Sequence, residues 1–217
     1  MKKVTDPIKI TVFASGTGSN FRAIVQSIES GKLNAKLVGL ISNNPGAGAV
    51  EFAQVKGIPY QIINQHRYPD DDVRDNRIIE ILKEWSTELI VLAGYMKKIG
   101  LKIIAAYPNR IVNIHPALLP SFGGKGMYGI HVHEAVIHSG VKYSGLTVHI
   151  VNNEYDAGPI VLQRIVSVYD DDTPETLQQR ILVEEHKAYS EAISYFADDG
   201  ITVAGQRTFI KRENAED

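Results

Sequence analysis

An α/β fold of three layers is predicted, with a mostly parallel sheet, helices on both faces and an antiparallel C-terminal extension. Three observations predict it. Short β-branched apolar runs alternate with stretches of helical apolar spacing through the first 115 residues, the pattern of a sheet buried on both faces. Two later runs, 144–151 and 158–168, alternate apolar and polar residues more clearly, as half-covered antiparallel strands do. Between the two regions lies "HPALLPSFGGKGMYG", a Pro- and Gly-rich loop of a length that is usually functional or disordered.

Taken in order, "KITVFA" (9–14), "KLVGLIS" (36–42), "PYQII" (59–63), "ELIVLAG" (88–94) and "RIVNI" (110–114) read as buried strands. Helices are predicted at 19–30, 46–56 and 74–86, the last from the spacing of Ile78, Ile79, Ile81, Leu82 and Trp85. A further helix is expected at about 130–139. The stretch 173–199 reads as one long amphipathic helix, with Thr173 as N-cap, Pro174 in the first turn, and Glu175 and Glu184 outward. No linker, repeat or low-complexity tract interrupts the chain, and the tail from about 211 is expected to fray.

The 217 residues suit one domain, with about 8–112 as a nucleotide- or phosphate-binding half and about 113–210 as a catalytic half. A formal charge of −2 provides no basic field for nucleic acid or an anionic membrane. The chain has no cysteine, which excludes disulfides, thiolate metal sites and a cysteine nucleophile, and suits a reducing compartment. Asp6 and Pro7 interrupt the first apolar run, making it a poor signal peptide. No stretch approaches the roughly 20 apolar residues that span a bilayer. A cytoplasmic protein is expected.

Two segments carry candidate chemistry. "ASGTGSN" (14–20) follows the first strand and resembles a nucleotide-binding glycine turn. A dinucleotide fingerprint fails twice: Phe21 stands at the third glycine, and Asn43–Asn44 end the second strand where an acid would hold a ribose. What survives is a site for one anion. Gly16 and Gly18 permit positive φ, and Ser19 and Asn20 open a helix whose N-terminus attracts phosphate. A tight bend with no ligand is the structural alternative.

In "NIHPALLPSF" (113–122), Asn113 and His115 fall at a strand's C-terminal end, on the same side of the chain. Asn113 can donate to a developing oxyanion and His115 can move a proton. Asp156, in the turn "YDAGP", can pair with the imidazole and keep it protonated. Each residue alone has a structural reading, as a turn cap, a packed loop histidine and a turn aspartate. Among the remaining histidines, His131 and His133 are the most suggestive metal pair. With no cysteine and no H-E-x-x-H pattern, no metal is expected.

Jointly, "SGTGSNF", "LIVLAGYMKKI" (89–99), "NIHPALLPSF", "GLTVHIVNNEYDAGPIVLQ" (145–163) and "EEHKAY" (184–189) make the chain similar to the phosphoribosylglycinamide formyltransferases. These are folate-dependent enzymes that formylate glycinamide ribonucleotide in purine synthesis. The resemblance implies a Rossmann-like formyltransferase fold and direct transfer from 10-formyltetrahydrofolate to a primary amine, with no covalent enzyme intermediate. It implies Asn113, His115 and Asp156 as the catalytic trio. Gly18, Ser19 and Asn20 match the phosphate loop, and Glu185 a residue near the ribonucleotide. Met96, Lys97 and Ile99 match the folate site, which Asn113 adjoins.

Three departures stand out. Asp71 lies where the family often has arginine, leaving Arg67 or Arg74 to substitute. Lys97 replaces a common arginine, keeping the charge but losing a bidentate fork. The segment 123–129 is longer than in some relatives and brings Lys125 beside the expected site. Small-molecule partners only, in a monomer or homodimer, complete the expectation. The rivals are a formyltetrahydrofolate hydrolase and a non-catalytic Rossmann-type nucleotide-binding module.

Overall fold

The computed structural model describes residues 6–197 and 200–211. All but the first residue of the tail expected to fray, and the last two residues of the expected 173–199 helix, lie outside them. The chain order is β1 (Ile8–Phe13), α1 (Ser19–Glu29), β2 (Ala35–Ser42), α2 (Gly48–Val55), β3 (Tyr60–Ile62), α3 (Asp71–Glu84), β4 (Leu89–Leu92), α4 (Leu101–Ala106), β5 (Ile111–His115), α5 (Ile130–Ser139), β6 (Tyr143–Ile150), β7 (Ile160–Ser167), α6 (Pro174–Ala197), β8 (Ile201–Ala204) and β9 (Arg207–Ile210).

The strands form one nine-stranded sheet in the order β3-β2-β1-β4-β5-β6-β7-β9-β8. β1 to β5 pair in parallel, whereas β6 pairs antiparallel with both β5 and β7, and β7 pairs parallel with β9, which is antiparallel to β8. The expected mixed sheet is present. Every residue of β4 is buried, and the four divide between two cores: Leu89 and Val91 in one, Ile90 and Leu92 in the other. The first core is closed by α1, α2, α5 and α6, the second by α3 and α4. That two-sided cover is why the parallel strands read as continuous apolar runs.

The structure adds three elements to the sequence reading. α4 is six residues long, too short for a visible period, and β8–β9 is a four-residue hairpin on each side. α3 begins at Asp71 rather than 74, because the Asp70 side chain accepts from Val73 N at 2.9 Å and caps the helix. The Thr173 cap of α6 is present, with Thr173 Oγ1 accepting from Thr176 N at 3.3 Å. Among the described residues, no helix is long and apolar enough to cross a membrane.

Two features of the chain path position the site. The strand order reverses between β1 and β4, so the loops following them part at the carboxyl edge and open a crevice. At the other side, Gly158 closes the 151–159 loop against β6: a Cβ there would fall 1.8 Å from the Ile150 carbonyl oxygen. Gly158→Ala is therefore expected to destabilise the fold by about 1–3 kcal/mol, seen as a fall in Tm of about 2–4 °C per kcal/mol. Gly16→Ala, with no atom within 4 Å of the added Cβ, should melt with the wild type. Equal melting of both variants would contradict the role assigned to Gly158.

Candidate active site

The loop after β1 is locked by the asparagines that stand in place of the ribose-binding acid. Ser15 Oγ donates to Asn43 Oδ1, and Asn44 Nδ2 donates to the Ser15 carbonyl at 3.2 Å. Ser15 also binds across the crevice, its N–H to the Gly94 carbonyl at 3.1 Å and its Oγ accepting from Met96 N at 2.8 Å. The second strand's polar end thus fastens the glycine turn to the loop after β4.

Of the two turn glycines, both of which permit positive φ, only Gly18 uses it, at φ 77°. Gly18 is the N-cap of α1 and packs on α2, where a Cβ would lie 2.8 Å from Ala49 Cβ. It does not line the cavity. Thr17, Ser19 and Asn20 do, bringing the N-terminus of an eleven-residue helix to its wall.

That cavity measures about 930 Å³, within the range of small-molecule sites. Asn113, His115, Asp156, Glu185, Met96, Lys97, Ile99 and Lys125 all reach it. Ile99 is buried and Met96 half exposed. The Lys98 ammonium lies 5.2 Å from the Tyr155 ring centroid, linking the 93–100 and 151–159 loops across the opening. Neither arginine offered in place of the family's reaches the cavity: Arg74 is bound to Asp71 and to the Tyr68 carbonyl at 3.1 Å, and Arg67 is exposed.

β5 and β6 build the centre. Their register sets Asn113 opposite His149 and His115 opposite Thr147, so all four side chains project from one face. Asn113 Nδ2 lies 3.1 Å from His149 Nε2. His115 Nε2–H donates to the Phe122 carbonyl at 2.7 Å. Asp156 sits between the histidines, its Oδ2 3.6 Å from His115 Nδ1 and its Oδ1 3.5 Å from His149 Nε2. Its backbone is left-handed at φ 52°, a conformation aspartate tolerates better than most residues. Gly124 N donates to Oδ2 at 3.0 Å.

Thr147 and Gln163 brace the loop above. Thr147 Oγ1 donates to the Ala117 carbonyl at 2.7 Å and accepts from Leu119 N at 3.0 Å. Gln163 Nε2 donates to the Leu119 carbonyl at 3.0 Å. Neither these residues nor His149 stand out in the sequence. The available signal is the i, i+2 pair Thr147 and His149 in the otherwise apolar run "LTVHIV", two polar groups on one side of a buried strand. His133 is also buried at the cavity wall, with Nδ1 unpartnered. Burial, and His115 nearby, push its pKa down to about 4. Among the described residues, no cluster of three or more His, Asp or Glu is arranged to hold a metal ion.

The charge states differ from expectation at His115. Burial lowers its pKa more than Asp156 and the Phe122 carbonyl raise it, so the imidazole sits below its ordinary value. Asp156 therefore does not by itself keep His115 protonated. For Asp156, burial acts upward but is outweighed by His149, His115 and Gly124 N–H, and the carboxyl falls below its usual range. An ionised carboxylate beside a neutral imidazole is the resting arrangement. His115, the more buried of the two, loses more by carrying charge.

Glu185 is 7% exposed and accepts from Asn20 Nδ2 at 2.8 Å. Burial pushes its pKa up to about 7 despite that bond.

The formyl transferase family model matches residues 8–193. The chloroplastic phosphoribosylglycinamide formyltransferase of Arabidopsis thaliana is 45% identical over 194 residues, 89% of this chain and 66% of that protein. The phosphoribosylglycinamide formyltransferase of Bacillus subtilis (strain 168) is 40% identical over 185 residues, 85% of this chain and 92% of that protein. The chain thus spans nearly all of the bacterial relative, but just under two thirds of the plant one. Glycinamide ribonucleotide transformylase 1 from Symbiobacterium toebii superposes with a TM-score of 0.89 at 37% identity, covering 95% of each chain.

The raised carboxyl yields a stability prediction. An acid whose folded pKa exceeds its unfolded value contributes stability that is full below the unfolded pKa and is lost as pH rises through the folded one. For Glu185 the window runs from 4.5 to about 7, and the loss is about 3 kcal/mol. Glu185→Gln should remove it: denaturant unfolding at pH 5 and pH 8 should show the wild type losing stability relative to the variant. Parallel pH dependence of the two proteins would refute this.

Proposed function

The chain belongs to the formyl transferase family, in its phosphoribosylglycinamide formyltransferase branch, and from that premise we propose that it formylates glycinamide ribonucleotide. The donor in this reading is 10-formyltetrahydrofolate and the product formylglycinamide ribonucleotide, an intermediate of purine synthesis. The observation that carries the proposal is the convergence of Asn113, His115 and Asp156 in one cavity that the N-terminus of α1 also reaches.

Each substrate has a matching surface. The ribonucleotide phosphate sits at Thr17, Ser19 and Asn20, where backbone N–H groups and the helix dipole favour an anion. The Asn20–Glu185 pair lies next to it and meets the sugar. The folate occupies the wall formed by Met96, Lys97 and Ile99, with the formyl carbon at Asn113. The residues of about 8–112 supply the phosphate loop and much of the folate wall, and 113–210 the catalytic groups. One chain carries every group named. The proposed compartment is the cytoplasm, consistent with a chain lacking cysteine; the Arabidopsis thaliana relative is chloroplastic.

In the reaction, the amine nitrogen attacks the formyl carbon and the C=O pair moves onto oxygen. Asn113 Nδ2 donates to that oxyanion. Negative charge growing beside His115 raises its pKa, so the imidazole takes the proton that the new C–N bond makes acidic. Asp156 stabilises the imidazolium. Collapse of the oxyanion expels the folate nitrogen, which receives the proton from His115. No protein atom becomes covalently bound.

Asn113→Ala should lower kcat roughly 10²–10³-fold in an assay of formylglycinamide ribonucleotide formation, with melting near that of the wild type. Near-normal turnover would remove Asn113 from the chemistry. A second prediction concerns pH. Since His115 must be neutral to accept a proton, activity falls on the acid side of its pKa, which Asp156 raises. Asp156→Asn should therefore move the acid limb of kcat/KM to lower pH as well as slow the reaction. An unmoved limb would argue against the coupling.

A further inference from the structure

Three ammonium groups at the cavity mouth have no carboxylate to answer them. Lys97, Lys98 and Lys125 all line the cavity and all are exposed, which puts them on its rim. Among the described residues none of the three forms an ion pair. Lys102, a few residues on, does: it meets Asp72 at 3.1 Å and is no part of the cavity lining.

The rim is built from two loops that close on a third. In the 93–100 loop, the Lys98 ammonium lies 5.2 Å from the Tyr155 ring centroid. In the 123–129 segment, Gly124 N–H donates to Asp156 Oδ2 at 3.0 Å, and Lys125 follows it directly. The two loops thus bring lysines towards the consecutive residues Tyr155 and Asp156. Three carboxylates also line the cavity, Glu154, Asp156 and Glu185. Asp156 is engaged by the two imidazoles and Gly124, and Glu185 is held by Asn20. Glu154 alone of the three is exposed and shares the rim. The mouth therefore sets three positive charges against one negative, in a protein whose net charge is −2.

Behind these charges the lining turns apolar, with Tyr95, Met96, Ile99 and Val151. An apolar wall with a cationic mouth suits a ligand that has flat rings at one end and carboxylates at the other. A folate has that form. Its ring system ends in a glutamate, and each further residue joined through the γ-carboxyl adds one negative charge. A lone glutamate offers two carboxylates to three ammonium groups held on two loops. A longer tail supplies one for each and can follow the rim from loop to loop.

We propose that Lys97, Lys98 and Lys125 form a binding rim for the oligo-γ-glutamyl tail of the formyl donor, so that the enzyme selects extended folates over the monoglutamate. This rests on the reading of a folate as the donor. Each exposed ion pair strengthens binding roughly 1.5- to 5-fold. Two or three together give about tenfold, a gain that salt screens.

Calorimetric titration with tetrahydrofolate carrying one or five glutamates, the form left once the formyl group has gone, reads the rim without turnover. The pentaglutamate should bind about tenfold tighter at about 50 mM salt, and about twofold tighter at about 0.5 M. Combining Lys98→Ala with Lys125→Ala should bring the low-salt ratio below about threefold. Lys102→Glu alters the net charge by the same amount outside the cavity and should keep the wild-type ratio. Equal affinities in the wild type, or a ratio that the double variant leaves unchanged, would overturn the proposal. An equal fall in Lys102→Glu would mean net charge rather than a rim, and would overturn it as well. With formylated donors the preference should appear in KM rather than kcat, since the tail contacts are the same before and during reaction; a preference confined to kcat would count against the rim. Failure of both ligands to bind would instead bring down the folate reading, and the rim with it.

Discussion

The site depends on one buried carboxylate held between two imidazoles. Asp156 stands 3.6 Å from His115 and 3.5 Å from His149, and each of the three residues is buried or nearly so. An ionised group in that position is costly unless neighbours compensate. Here the compensation comes from both rings and the Gly124 N–H. The arrangement requires β5 and β6 in their observed register, a left-handed backbone at Asp156, and Gly158 pressed against the Ile150 carbonyl. Loss of any one would leave the carboxylate without its partners.

The other end of the cavity follows a different logic. Its wall combines the N-terminus of α1 with Gln178, Ile181, Leu182 and Glu185 of α6, and the glycine turn is bound down by Ser15, Asn43 and Asn44. Those bonds answer the loss of the dinucleotide fingerprint. Where such a fingerprint places an acid for a ribose, this chain places two amides that brace the turn. The result is a short, braced turn leading into the N-terminus of α1. Gly18 serves it indirectly, by letting α1 and α2 approach.

The mixed character of the sheet, most strands and most helices are legible in the sequence because apolar patterns report burial, and burial dominates this core; the order of the strands is not, since periodicity carries no information on which strands pair. α4 and the β8–β9 hairpin are not, being too short to display a period. Asn113, His115 and Asp156 are legible through chemical type and position at strand ends. His149 is not, because its importance arises from pairing across strands 36 residues apart in sequence. The charge of His115 is hidden for a related reason. A neighbouring carboxylate can be inferred from the sequence, but the depth of burial that outweighs it cannot. Arg67 and Arg74 are plausible by proximity in sequence, yet the Asp70 cap turns α3 so that Arg74 meets Asp71 and the Tyr68 carbonyl.

What distinguishes a formyltransferase from a hydrolase with the same catalytic groups is which nucleophile the cavity delivers. In the proposed reaction the phosphate-binding end makes that choice, by holding an amine against the formyl carbon. The most direct measurement follows the fate of an isotopically labelled formyl group on 10-formyltetrahydrofolate, with glycinamide ribonucleotide and water competing. Label should appear in formylglycinamide ribonucleotide, with little formate while the ribonucleotide is present. Label released chiefly as formate, at a rate unaffected by the ribonucleotide, would contradict that choice of nucleophile.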